Sequence, residues 1–214
     1  MKTNVDSLCQ KNESGEIQMI YKNLKWLNES QYHEIDNGIE IYAPEHTDYF
    51  VNPVNHDVIT SAPFLYQEVT GDFILRAKVS HDFLSTYDAC VLLAQDHDRL
   101  WAKACFELTD IGTHSIVTVM TNEHSDDANG VIVDTQEIWL QLARKDNMFA
   151  IHYSLDGRIF SMARLTYLPM RKTIKVGFSA QSPLGDGGMR CFTNILFKKK
   201  RLTDIRNGND LPLI

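Results

Sequence analysis

The chain has 214 residues, 43% hydrophobic and 23% charged, which suffices to bury one domain-sized core. Its 28 acidic and 21 basic side chains give a net charge of −7, which argues against a nucleic-acid binder because phosphate contacts need a basic surface. No apolar run approaches the roughly 20 residues that cross a bilayer, and residues 1–10 lack the apolar stretch of a signal peptide. We therefore expect a cytoplasmic protein without nucleic-acid or membrane partners.

Hydrophobic and polar residues alternate along most of the chain, which is typical of half-buried strands. In chain order, the pattern predicts strands at 38–43, 73–80, 89–94, 101–108, 116–121, 139–144, 149–155, 159–165, 174–180 and 191–197. Asp156-Gly157 between two of these runs predicts a tight hairpin. Since no long amphipathic helix is predicted between 20 and 198, we expect an all-β fold, a two-sheet antiparallel sandwich or jelly roll.

The chain divides into three predicted parts: a flexible N-terminal extension (1–16), a single sandwich domain (17–200) and a C-terminal tail (201–214). Tyr42, Tyr49, Phe50, Phe64 and Tyr66 cluster in a Pro-containing segment that predicts an irregular excursion between early strands. It is expected to be pinned to the sandwich by its own hydrophobes, or alternatively to cap a groove and present aromatic rings to a ligand.

The cysteines, at positions 9, 90, 105 and 191, form no Cys-x-x-Cys pair. The last three lie in apolar segments, so we expect small buried thiols in a reducing compartment.

Several phrases resemble, in their order, a known family, domain of unknown function 1349. The phrases are Trp26-Leu27-Asn28-Glu29, Gly71-Asp72-Phe73, Tyr87-Asp88-Ala89-Cys90-Val91-Leu92-Leu93, Trp101-Ala102-Lys103-Ala104-Cys105-Phe106-Glu107, Tyr153-Ser154-Leu155-Asp156-Gly157 and Val176-Gly177-Phe178-Ser179-Ala180-Gln181-Ser182-Pro183. The resemblance covers roughly residues 20–198 and implies a concanavalin A-like jelly roll. It implies no activity, although the family includes a yeast protein described as a regulator of enolase expression. The same phrases are similar to sandwich modules attached to some β-xylosidases.

The strand 101–108 carries the main candidate site. Period two places Trp101, Lys103, Cys105 and Glu107 on one face, opposite an apolar face. In a concave sheet, Trp101 could stack on a sugar ring while Lys103 and Glu107 bind hydroxyls. We expect Asp88, Arg144 and Arg164 to complete this ligand-binding cluster. The alternative is a Lys103–Glu107 pair on a solvated sheet face with a structural Asp88.

Three functions follow. The first is non-catalytic binding of a carbohydrate or another small polar ligand. The second is glycoside processing with Glu107 and Asp88 as the carboxylate pair, which the sequence supports weakly because it lacks the acidic string of jelly-roll glucanases. The third is a regulatory protein-interaction module, and a homodimer also stays open.

No spacing in the sequence predicts a metal site or a cofactor. His124-Ser125-Asp126 matches the His-x-Asp step of iron sites, with His152 as a second histidine, but residues 122–130 are rich in turn formers and predict a solvated loop. Asp72 and the loop around Asp186 could supply oxygen ligands, so a structural calcium ion is an alternative that the sequence leaves open.

Overall fold

The computed structural model describes residues 24–209, and its regular elements there are all strands. They are β1 (Lys25–Leu27), β2 (Tyr32–Ile35), β3 (Gly38–Ala43), β4 (Tyr49–Val51), β5 (Val58–Thr60), β6 (Phe64–Thr70), β7 (Phe73–His81), β8 (Ala89–His97), β9 (Leu100–Leu108), β10 (His114–Asn122), β11 (His124–Ile132), β12 (Glu137–Lys145), β13 (Met148–Ser154), β14 (Ser161–Tyr167), β15 (Thr173–Gln181) and β16 (Gly188–Lys198). None of residues 24–209 belongs to a helix long and apolar enough to span a membrane. The predicted N-terminal extension, 1–16, lies outside the described residues.

Fourteen of these strands form two seven-stranded sheets. The first sheet has the order β1-β6-β15-β8-β9-β10-β11, and the second has the order β14-β13-β12-β7-β16-β3-β2. All pairings in both sheets are antiparallel. The fold is therefore the predicted all-β, two-sheet antiparallel jelly-roll sandwich of the concanavalin A-like type.

The main core lies between the two sheets. Alternate residues of the central strands fill it, for example Leu92 and Phe106 from the first sheet and Leu140 and Phe192 from the second. These side chains are fully buried. The removal of each one from water stabilises the fold by about 1.5–3 kcal/mol. All ten predicted strands are present, and the bounds of 38–43 are those predicted.

The structure corrects three sequence predictions. Residues 124–132 form edge strand β11 rather than a solvated loop. The sequence does not reveal this strand, because an edge strand with both faces largely exposed needs no apolar alternation. The hairpin of β13 and β14 forms, but six residues connect its strands instead of a two-residue turn. The excursion after Ala43 contains the small hairpin β4–β5 and then β6, a strand that the pattern did not reveal.

Each seven-stranded sheet is covered on its outer face by a segment that belongs to neither of the two large sheets. We call residues 44–63, which include the β4–β5 hairpin, the first cover; Tyr49 and Val51 seat it against Val91 and Trp101 of the first sheet. The described part of the predicted tail, 201–209, is the second cover. Its Leu202 and Ile205 are buried against Ile74 of the second sheet, so this part of the tail packs rather than projecting into solvent.

Candidate functional site

Strand β9 faces two apolar layers. Its residues Ala102, Ala104 and Phe106 enter the main core, whereas Trp101 and Cys105 enter a second layer beneath the first cover. The predicted assignment of faces is therefore confirmed. The predicted openness is not, since the first cover closes most of the outer face.

Trp101 is completely buried and does not offer a ring face to a ligand, contrary to our expectation. The ring of Tyr49 packs edge-on against the indole at a centroid distance of 5.7 Å. Within residues 24–209 the indole Nε1 has no hydrogen-bond partner. Tyr49 of the first cover thus packs on Trp101 and closes this part of the face, because burying two large rings against each other removes more apolar surface from water than leaving Trp101 in an open groove would.

Lys103 is buried, and its ammonium group is held by three acceptors. Nζ donates to the Tyr49 carbonyl at 2.9 Å, to Gln181 Oε1 at 3.1 Å and to Asp48 Oδ1 at 3.4 Å. Burial alone lowers the pKa of Lys103, but attraction to nearby acidic groups, Asp48 foremost, outweighs it and the pKa is raised. Lys103 therefore carries its charge and fastens the first cover to the sheet. It is neither solvated nor paired with Glu107.

Glu107 is also buried, with 5% of its surface exposed, but it has no such partners. No hydrogen bond or ion pair reaches its carboxyl group from any residue between 24 and 209. Burial raises the pKa of Glu107 to about 8; Lys103 opposes this shift, and repulsion from Asp127 and Asp48 adds to it. The group is therefore mostly an uncharged carboxylic acid at pH 7.

A cavity of about 200 Å³ opens beside this carboxyl group. The first cover, the loop before β8 and four strands of the first sheet form its wall, which consists of Asp48, Phe50, Tyr87, Lys103, Glu107, Val119, Asp127 and Gln181. Tyr87, 37% exposed, and the half-buried Phe50 bring aromatic rings to the solvent side. Asp127 is an exposed residue of edge strand β11, but partial enclosure of its carboxyl group and repulsion from Asp48 and Asp110 raise its pKa, partly offset by Lys103 and by the Ala128 N–H.

Asp88 belongs to the structural frame of the protein and does not line this cavity. Its carboxylate is fully buried, lies 3.1 Å from Arg190 Nη2 and accepts hydrogen bonds from Ser182 Oγ at 2.7 Å and from the Ser85 N–H at 3.1 Å. With these partners it joins the first sheet to β16 of the second. The structure therefore matches the alternative that we gave, a structural Asp88.

Arg144 and Arg164 lie on the second sheet, away from the cavity. Arg144 donates to the backbone carbonyls of Asp146, Met170, Arg171 and Lys172, beside a wider cavity of about 770 Å³. Arg164, on β14, forms an ion pair with the exposed Asp126 of edge strand β11. Of the six predicted ligand-binding residues, only Lys103 and Glu107 line the cavity, because strand order across two sheets is invisible to local spacing.

The cavity contains residues that the sequence interpretation missed. Asp48 lies in the predicted excursion and Asp127 in the predicted loop at 122–130, and no local pattern marks either one as a binding residue. Tyr87 and Gln181 fall inside the family-like phrases, which are the signal that the sequence offers for them. Phe50 is one of the aromatic residues that the sequence offers as a cap for a groove.

The metal candidates are dispersed. His124 pairs with His56 in the first cover, Nε2 to Nδ1 at 2.8 Å, whereas His152 is buried beneath the second cover. Asp72 accepts from the Asp146 N–H and from Arg201. Among residues 24–209, no group of three or more His, Cys, Asp or Glu side chains is arranged to hold a metal ion.

The comparisons with known proteins place the chain in a family. It belongs to the family described as protein of unknown function (DUF1349), which matches residues 26–200. A functionally unknown protein from Saccharomyces cerevisiae has a similar structure, with a TM-score of 0.76 and 24% identity over 82% of this chain and 95% of that one. No curated protein matches the sequence significantly.

Carbohydrate-related proteins share the fold at lower similarity. A carbohydrate-binding module, CBM66 from Bacillus subtilis, aligns with a TM-score of 0.52 and 9% identity over 81% of this chain and 95% of that one. The GH43 protein BlXynB from Bacillus licheniformis aligns with a TM-score of 0.59 and 12% identity over 75% of this chain. The aligned region is 32% of BlXynB, so the chain corresponds to about one third of that protein.

Proposed function

We propose that this protein is a non-catalytic, ligand-binding sandwich and that its ligand is a small carbohydrate bound in the 200 Å³ cavity. The observation that carries the proposal is the Glu107 carboxyl group, which is buried, lines the cavity and lacks a partner among the described residues. The Glu107 oxygens are not among the fully enclosed side-chain atoms that lack partners, so they open into the cavity, where the donors of a ligand can reach them.

The chemistry of the wall suits a sugar ring. A pyranose has apolar C–H faces and a rim of hydroxyl groups. Phe50 and Tyr87 offer ring surface for the faces, and Glu107 and Asp127 offer carboxyl oxygens for the hydroxyls. Pockets for drug-sized ligands measure roughly 300–1,000 Å³, so a cavity of about 200 Å³ suits one ring rather than a chain.

The fold similarity to a carbohydrate-binding module supports this proposal at the level of architecture only. The protein-interaction alternative gains no specific observation, because the cavity is polar and small. For the cellular location we propose the cytoplasm, in keeping with the buried free thiols of Cys90 and Cys105.

Hydrolysis is the less supported alternative. A glycosidase needs two carboxyl groups about 5–5.5 Å or 6.5–9.5 Å apart around the scissile bond. Asp88, the predicted partner of Glu107, is engaged by Arg190 and Ser182. Val119 pairs with Asp127 on one side and with Lys103 on the other. Lys103 is four residues, about 13 Å of strand, from Glu107, so Asp127 is also too far along the sheet to form a catalytic pair with Glu107.

The test is a titration of monosaccharides into the uniformly labelled protein, in which binding is measured from the NMR chemical shifts of the protein. We expect saturable shifts for at least one sugar and their loss in Glu107→Gln. Glu137→Gln, which changes an exposed acid on the second sheet, is the matched control and should bind like the wild type. Absence of saturable shifts for every sugar at millimolar concentrations would refute the proposal.

A further inference from the structure

The cavity offers a ligand mostly hydrogen-bond acceptors. Lys103 uses all three of its N–H donors on protein oxygens, and Gln181 Nε2 uses one of its two N–H donors on the Tyr87 carbonyl at 3.3 Å. The carboxyl oxygens of Glu107 and Asp127 lie in the same wall. A ligand that brings donors, rather than acceptors, would therefore satisfy this wall.

The electrostatic balance of the wall points in the same direction. Three acids, Asp48, Glu107 and Asp127, face one lysine, and the Asp48 carboxylate already contacts that lysine. Burial raises the pKa of Tyr87, and the acidic neighbours Asp110, Glu107 and Asp127 raise it further when they are ionised. Among residues 24–209, no cation lies within ion-pair distance of the Glu107 carboxyl group. A positive charge on a ligand would therefore find its best counterpart at this group.

Aromatic rings at the mouth add a second attraction for a cation. The faces of Phe50 and Tyr87 carry negative charge density, and a cation within about 6 Å of such a ring is attracted to it. A protonated amine also has three donors and no acceptor, which complements a wall of acceptors.

We propose that the ligand carries a protonated primary amine, and that this amine is held by Glu107, so that the ligand is an amino sugar. The sugar part of this inference rests on the function proposed above, whereas the amine part rests on the donors, acceptors and charges of the wall.

Binding of the amine would be coupled to a proton. At pH 7 the Glu107 group is largely protonated, and a cation beside it favours the carboxylate. The proton leaves the carboxyl group and passes to the buffer. Calorimetry in two buffers of different ionisation enthalpy measures this release directly, and a neutral sugar would release no proton.

The experiment compares each of glucosamine, galactosamine and mannosamine with its parent hexose and its N-acetyl derivative, by calorimetry at pH 7. Ethanolamine serves as an amine without a sugar ring. We expect at least one amino sugar to bind ten times more tightly than both neutral counterparts, with proton release. Glu107→Gln should lose at least tenfold in affinity and lose the proton release, whereas Glu137→Gln should keep both. Tyr87→Leu, which removes an aromatic ring from the cavity wall, is a second variant should Glu107→Gln fail to fold, and it should also weaken amino-sugar binding.

The outcomes separate the two proposals. Equal binding of hexose and amino sugar would overturn the amine inference and leave carbohydrate binding in place. Ethanolamine binding as tightly as the amino sugars would support the amine and overturn the sugar ring. Failure of all these compounds to bind would overturn both.

Discussion

The two outer faces of the sandwich each hide a polar cluster beneath a cover, but only one cluster is complete. Under the second cover, Arg76 Nε and Nη2 donate to Gln141 Oε1 at 3.0 and 2.7 Å, and Nη2 also reaches the Gly208 carbonyl. The ring of Phe160 packs against this guanidinium at 3.8 Å, and His152 meets the Arg206 carbonyl. The second cover thus closes a network whose members satisfy one another.

The first cover leaves its cluster unfinished. The buried side-chain atoms without partners in residues 24–209 all lie in this layer: Tyr49 OH, Gln95 Nε2 and Oε1, Trp101 Nε1 and Ser179 Oγ. A fully satisfied network stabilises and specifies a fold, whereas unmet polar groups cost stability and are retained where they have another use. Under the function proposed above, the second face serves the stability of the fold and the first face serves ligand binding.

The largest expected effect distinguishes Asp88 from Asp82, the two acids that contact Arg190. Asp88→Ala would remove the closest carboxylate from the fully buried Arg190, and breaking a buried pair costs about 3–5 kcal/mol. Urea unfolding should show this loss. Asp82→Ala is the control, because Asp82 contacts the same arginine but is 42% exposed, and we expect a cost below about 1 kcal/mol. Equal costs for the two variants would contradict a structural role specific to Asp88.

The next effect concerns the seat of the second cover. Leu202 is 1% exposed beside Ile74, so Leu202→Ala should destabilise the protein by about 2–4 kcal/mol. The exposed neighbour change Thr203→Ala should cost less than about 0.5 kcal/mol. A similarly small loss for Leu202→Ala in urea unfolding would show that residues 201–209 do not contribute to the fold.

A smaller effect appears in the pH dependence of stability. Glu107 binds its proton more tightly in the folded state, with a pKa of about 8, than in the unfolded chain, where glutamate titrates near 4.3. Between these values the folded state holds more protons, so its contribution to stability falls as the pH rises, by at most about 1.4 kcal/mol per unit.

The measurement is urea unfolding between pH 6.5 and 8. Burial lowers the pKa values of His81 and His152 in the folded state, so these histidines reduce stability only below about pH 6.5, the ordinary pKa of histidine. The chosen range therefore avoids their titration. We expect Glu107→Gln to gain on the wild type by about 2 kcal/mol across the range. Parallel profiles would mean that Glu107 titrates normally in the folded state.

The smallest expected effect tests the aromatic mouth of the cavity. Phe50→Leu keeps apolar bulk but removes the ring, so amine binding should weaken about two- to fivefold, equivalent to about 0.5–1 kcal/mol. Phe50→Tyr keeps a ring and should bind like the wild type. Calorimetry with the tightest amino sugar distinguishes the two, and identical affinities for Leu and Tyr would exclude a contribution from the ring.

Local patterns were reliable for strands with one buried face. Strand β3 has its predicted bounds, and β9 has its predicted faces, because alternation records which side of a strand meets the core. The same rule missed β6 and failed at edge strand β11, whose exposed polar residues leave no alternation to detect. The two covers were also beyond it, since their hydrophobic residues are seated by distant strands rather than by neighbours in sequence.

By itself, the sequence determined the fold class, the faces of β9 and therefore the shared side of Lys103 and Glu107. Only the tertiary structure decided their different roles. Asp48 and Gln181 lie 55 residues before and 78 residues after Lys103 in the chain, yet they accept hydrogen bonds from its ammonium group. Glu107 has no such partner among residues 24–209. Strand order sent Asp88, Arg144 and Arg164 elsewhere. Period two assigns a side chain to a face, but its charge state and partners depend on which remote segments come to lie on that face.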